Sequence, residues 1–147
     1  MMSRQFKQLI EDLCTLVDMP DAQHLIHSGP FAVDGVVFTI ARDWQNSTES
    51  LVLQGDCGRP EQDAAMVFTA LLQRNYTGFQ HDGPQFGISP ATGGIVYMER
   101  MKVADASANS LAGTLAFVAE HARHWRCALP MPPRPLPRMA MHSLQIA

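Results

Sequence analysis

The sequence lacks the features that mark several large functional classes. No apolar run approaches the ~20 residues needed to cross a bilayer, so membrane insertion is not expected. The opening stretch, MMSRQFKQLIEDL, has acids inside its apolar pattern and neither an apolar core segment nor a small-residue cleavage site. It is not read as a secretory signal, and a cytoplasmic location is expected. Cysteine is scarce and unpaired: Cys14, Cys57 and Cys127 are odd in number, widely spaced and without any CxxC. This argues against a zinc ribbon or thioredoxin-type centre and for reduced structural thiols. Positive charge is short, with 11 Lys and Arg against 14 Asp and Glu, a net charge of −3. No basic stripe follows a phosphate backbone, so nucleic acid is not an expected partner. Neither GxGxxG, GxxxxGK[ST] nor GxSxG occurs, and no cofactor is expected.

What is present is best read outward from residues 60–75, PEQDAAMVFTALLQRN. The segment reads as one helix. Pro60 suits a first turn, Glu61 and Asp63 place negative charge at the positive end of the dipole, and Asn75 with Gly78 lets the chain leave. Its apolar residues exceed one face. Val67, Leu71 and the Phe68 ring make one stripe, while Met66, Ala70 and part of Leu72 look elsewhere. A helix apolar on two sides is buried on two sides. In a chain of 147 residues, one side can cover a sheet and the other can meet a second molecule.

Around this helix the elements fall in order. Residues 4–17 read as a helix capped by Ser3, with Phe6, Leu9, Ile10, Leu13 and Val17 on one stripe. Pro20 ends it, and residues 21–30 read as a loop anchored by Leu25 and Ile26. Residues 30–42 form a hairpin around Asp34-Gly35, a strong two-residue turn signal. Residues 43–49 read as a polar loop and residues 50–54 as a third strand. After the central helix, residues 86–88 and 95–101 read as two more strands. Residues 104–129 read as a helix with Leu111, Leu115, Val118, Ala122 and Trp125 as its core stripe. The order α-β-β-β-α-β-β-α predicts an α+β sandwich on a largely antiparallel sheet. Residues 1–129 form one domain, and residues 130–147, rich in proline, are expected to be an extended, disordered tail.

Few side chains suggest chemistry. His121 and His124 lie three apart on the last helix with Glu120 beside them, the one arrangement that suggests a small metal-dependent or hydrolytic enzyme. No third ligand shares their register, and the spacing fits a solvated face. Ser28 and the Ser107–Ser110 pair have no evident base. The tail offers Pro130…Pro133 and Pro132…Pro135 at PxxP spacing, which would suit an adaptor, but Arg134 and Arg138 fall out of register for such a ligand.

Apolar surface is the stronger signal. Phe6, Leu9, Ile10, Leu13, Leu16 and Val17 on the first helix, Leu25 and Ile26 after it, and Val96 and Met98 on the fifth strand are expected to be mostly core, but so many apolar faces on one small domain leave a patch for partner binding. Nine methionines supply flexible thioethers suited to receiving varied partners.

Six segments in order, LIEDLCTLVDMPDA, PFAVDGVVFTIARD, LVLQGDCGRP, AAMVFTALLQRNYTG, PQFGISPATGGIVYMERMKV and LAGTLAFVAEHARHWR, resemble the bacterial type III secretion chaperones of the Tir-chaperone (CesT) family. The likeness spans Phe6–Arg126, and the proline-rich tail has no general counterpart in that family. It implies a non-catalytic α+β homodimer that binds the N-terminal chaperone-binding segment of a secreted effector in extended form and keeps it secretion-competent. It implies a dimer interface on the central helix, here Met66, Val67, Ala70, Leu71 and Arg74. It implies an effector patch on the first helix and sheet, here Phe6, Leu9, Ile10, Leu13, Leu25, Ile26, Val96 and Met98.

Overall fold

The computed structural model describes residues 3–45, 47–79 and 83–127. The proline-rich tail and its PxxP spacings lie outside the described residues.

Helix α1 (Arg4–Leu16) begins where Ser3 Oγ accepts the Phe6 amide at 3.0 Å. Its stripe of Phe6, Leu9, Ile10, Leu13 and Cys14 is buried. The segment after it is not all loop, because Asp21 caps a short helix α2 (Ala22–Ile26) that buries Leu25 and Ile26. Strands β1 (Phe31–Val33) and β2 (Val36–Gln45) meet at the predicted turn. Asp34 and Gly35 both adopt positive φ, 48° and 85°, as a two-residue hairpin of this twist demands. Strand β2 continues to Gln45 and pairs with β3 (Thr48–Asp56) as far as Gln45↔Thr48. Most of the polar stretch expected as a loop is therefore strand: hydrogen bonding along a long hairpin outweighs its weak strand propensity.

Helix α3 (Ala64–Phe79) starts four residues later and ends four residues later than its sequence signals suggest. Asp63 sets the start, accepting the Ala65 amide on Oδ1 and the Val67 amide on its carbonyl. Strands β4 (Gln85–Ile88) and β5 (Ile95–Lys102), a 3-10 turn (Val103–Asp105) and helix α4 (Ala108–Arg126) complete the described fold. A reciprocal Ser107–Ser110 capping box starts α4 four residues after the expected point.

The strands form one sheet in the order β1-β2-β3-β5-β4, and every neighbouring pair is antiparallel. Alternation decides the faces. Phe38, Ile40, Leu51, Leu53, Ile95 and Tyr97 point to the helices and are fully buried. Helix α4 adds its predicted stripe, Leu111, Leu115, Val118, Ala122 and Trp125, all buried. Trp125 stacks on Tyr97 at 5.6 Å and meets Phe86 edge-on at 4.9 Å. Gly55 makes the close helix approach possible: a Cβ there would lie 2.7 Å from the Phe38 ring and 3.5 Å from Val118. The other face of the sheet carries no helix among the described residues. Two sheet edges remain, β1 with the overhanging β2, and β4.

Candidate functional site: a helix and a sheet left open for partners

Helix α3 is held at both ends by polar contacts and only lightly between them. Val67 and Leu71 are its only buried residues. At its entry, Glu61 accepts Arg126 Nε at 2.7 Å, and Arg126 also donates to the Cys57 carbonyl at 2.8 Å. The Glu61 amide closes the loop by donating to the Arg126 carbonyl at 2.9 Å. The Arg126 hydrogen bond holds the Glu61 carboxyl below the usual glutamate range. Glu61 therefore does not serve the helix dipole, as its spacing suggested, but ties the loop before α3 to the end of α4. At the far end, the Asn75 side chain bonds both backbone groups of Phe86 on β4.

The exposed face of α3 is apolar. Met66 is 63% exposed, Leu72 66%, Tyr76 80% and Phe79 73%. Leu72, Tyr76 and Phe79 recur at i, i+4 and i+7 in one helical stripe, which begins from Phe68, itself packed partly against the core. Of the five residues expected at a dimer interface, Met66 and Ala70 are exposed. Val67 and Leu71 belong to the core. Arg74 is half-buried on the sheet side, where desolvation lowers its pKa and Tyr97 opposes that shift. Tyr76 and Phe79 were missed because Asn75 and Gly78 read as a helix stop, and Leu72, placed partly on the second face, was not counted among the interface residues. Continuing the helical register past Asn75 exposes the stripe in the sequence itself.

The expected effector patch needs a similar revision. Phe6, Leu9, Ile10, Leu13, Leu25 and Ile26 are all buried in the core, so they present no surface on the single chain. One helical stripe has one core to fill, and that of α1 is taken up inside the fold, where α1 packs chiefly against α4 and α2. Val96 and Met98 differ: they lie half-buried on the helix-free face of the sheet. Among the described residues the apolar side chains left open near α1 are Leu16 and Val17, and Trp44 stands open near the end of β2.

Strand β2 is ten residues long, yet β1 pairs only with Val36–Phe38. Along residues 39–45 that edge has no strand partner among the described residues. On the helix-free face, Val52, Gln54, Met98, Arg100 and Lys102 line a groove of about 760 Å³, and Phe79 is also part of its lining. Arg100 pairs with Asp43 across the strands.

His121 and His124 sit against their own helix. His121 Nδ1 lies 2.9 Å from the Phe117 carbonyl and its ring packs at 4.5 Å on Phe117. Among the described residues, no three His, Cys, Asp or Glu side chains are grouped to hold a metal. Burial pushes the Cys57 thiol up to about 12, which leaves it protonated and unreactive at neutral pH. No described helix is long and apolar enough to cross a membrane.

This arrangement, a helix-backed antiparallel sheet with an apolar helix beside one edge, agrees with the sequence comparison. Residues 31–126 match the Tir chaperone protein (CesT) family. The chain belongs to that family. It is a type III secretion chaperone. The fold has solved counterparts. A chain of the HopA1–SchA chaperone–effector complex is 22% identical with a TM-score of 0.65, and the match covers 83% of this chain and 93% of that one. A chain of the ExsC–ExsE complex is 20% identical with a TM-score of 0.65, covering 90% and 100%. The Yersinia pestis type III secretion chaperone SycH, solved with a stable fragment of YscM2, gives 16% identity and a TM-score of 0.61, covering 80% and 96%. Comparison with curated proteins gave no match.

Proposed function

We propose that this chaperone works as a homodimer in the bacterial cytoplasm, holding the N-terminal segment of a secreted effector extended along its surface. The observation that carries the reading is the asymmetry of the two sheet edges. Residues 39–45 of β2 extend past β1 and have β3 as their one strand neighbour among the described residues, whereas Phe86 on β4 has both outward backbone groups taken by Asn75. An effector strand laid along β2 satisfies its backbone groups whatever its side chains are. Trp44 stands 52% exposed beside that edge to receive apolar side chains.

Ordering a disordered segment costs conformational entropy, so a weakly specific contact must be long. A dimer doubles the available footprint, and the exposed α3 stripe is the surface that forms it. Holding a client this way needs no bond-making step, nucleotide or metal. Hydrogen exchange on the complex co-purified from the native cell tests the assignment. Amides in residues 39–45 should slow on client binding while those of β4 stay unchanged. Slowing at β4 alone would refute it.

A further inference from the structure

We infer that His121 and His124 form a two-point site on α4 for a divalent transition-metal ion that takes imidazole nitrogen, namely Cu(II), Ni(II) or Zn(II). The inference uses neither the α3 stripe nor the β2 edge, so it stands apart from the dimer and client readings. Residues three apart on a helix are surface neighbours, and spacing alone fits a solvated pair. The packing is different. The His121 ring lies on Phe117 at 4.5 Å, and its Nδ1 is 2.9 Å from the Phe117 carbonyl. A carbonyl only accepts, so Nδ1 carries the proton and Nε2 keeps the lone pair. Metal-binding histidines are oriented in the same way, by an Nδ1–H given to a backbone carbonyl. His124 is half-buried, and its Nδ1 is covered with no hydrogen-bond partner among the described residues. Nε2 is therefore the nitrogen this second ring can offer to an ion arriving from solvent.

The separation of the rings suits a shared ion. Two imidazoles bound to one ion through Nε2, in tetrahedral or square-planar geometry, have centroids roughly 4.5–5.5 Å apart. The His121 and His124 centroids are 5.4 Å apart, with their planes inclined by 37°. Imidazole selects the ion, since Ca2+ and Mg2+ take oxygen ligands instead. No third His, Cys, Asp or Glu is grouped with the pair among the described residues. Water completes the coordination, and binding is weaker than at a closed structural site. The last turns of α4 also favour positive charge, being the negative end of the helix dipole. The neighbouring cations are engaged: Arg126 donates to Glu61 at 2.7 Å, and Arg123 lies 3.9 Å from the same carboxylate. A bound ion would tie one turn of α4 to the next, just before the Arg126 latch.

Cu(II), added alone to the untagged full-length chaperone, is the probe. Electron paramagnetic resonance should show one ion coupled to two imidazole nitrogens. His121→Asn and His124→Asn should each remove one of those couplings and weaken binding by about ten-fold or more, with an unchanged far-UV spectrum. His27→Asn, on an exposed residue after α2, should change neither. A footprint on the unmodified chain decides the matter even where an asparagine variant misfolds. Cu(II) should slow the reaction of diethyl pyrocarbonate with His121 and His124 and leave His27 as reactive as before. Equal affinity in the parent and both variants places the ion elsewhere and overturns the inference. Protection confined to other histidines does the same, as does a parent dissociation constant weaker than about 1 mM.

Discussion

The Asn75 side chain treats Phe86 as a neighbouring strand would. The Phe86 amide donates to Asn75 Oδ1 at 2.8 Å, and Asn75 Nδ2 donates to the Phe86 carbonyl at 2.9 Å. One amide thus satisfies both outward groups of an edge residue and pins α3 to β4 where few apolar contacts do so.

Removing that amide should therefore cost more than its half-exposed position suggests. Asn75→Ala orphans both Phe86 groups, and we expect a loss of about 2–4 kcal/mol in urea unfolding. Gln73→Ala, on the exposed side of the same helix, should change stability by less than about 0.5 kcal/mol. Faster hydrogen exchange at Phe86 in the alanine variant would localise the effect.

Neighbouring leucines on α3 should behave oppositely. Leu71 is 6% exposed and Leu72 is 66% exposed. Leu71→Ala leaves a core cavity and should lower stability by about 2–4 kcal/mol. Leu72→Ala should leave the monomer within about 0.5 kcal/mol of the parent and weaken the dimer. Denaturation at high dilution, paired with sedimentation at increasing concentration, separates the two effects.

The latch between Glu61 and Arg126 should open in acid. The Glu61 carboxyl is depressed in the folded chain, so its contribution is present above the ordinary glutamate range and is lost as pH falls through the folded value. Exchange of amides in residues 57–63 should accelerate selectively below the ordinary glutamate range. In Glu61→Gln that acid-dependent step should be absent. The side chains are exposed, so the change is local and not a global unfolding.

Much of this fold was legible because periodicity reports burial. The α4 stripe ending at Trp125 and the Asp34-Gly35 hairpin can be read directly, since each follows from local geometry. The stripe of α1 was equally visible, but its meaning was not. Phe6, Leu9 and Ile10 look alike whether they face the core or a client, and only the positions of α4 and α2 decide. The length of α3 was hidden for a different reason. Asn75 ordinarily favours a helix end, and here its side chain is satisfied eleven residues away, by a strand that no local pattern connects to it. Tyr76 and Phe79 were lost with that boundary. The Glu61–Arg126 latch is likewise non-local, joining residues 65 positions apart.

The measurement that bears most directly on the central claim is the native mass of the chaperone, tagged and purified from its own cells. A homodimer that holds an effector predicts a particle of two copies of this chain plus one larger polypeptide, whose identity mass spectrometry then gives. A lone monomer without a companion would contradict it, leaving the α3 stripe and the β2 edge beyond β1 as surfaces without the partners assigned to them.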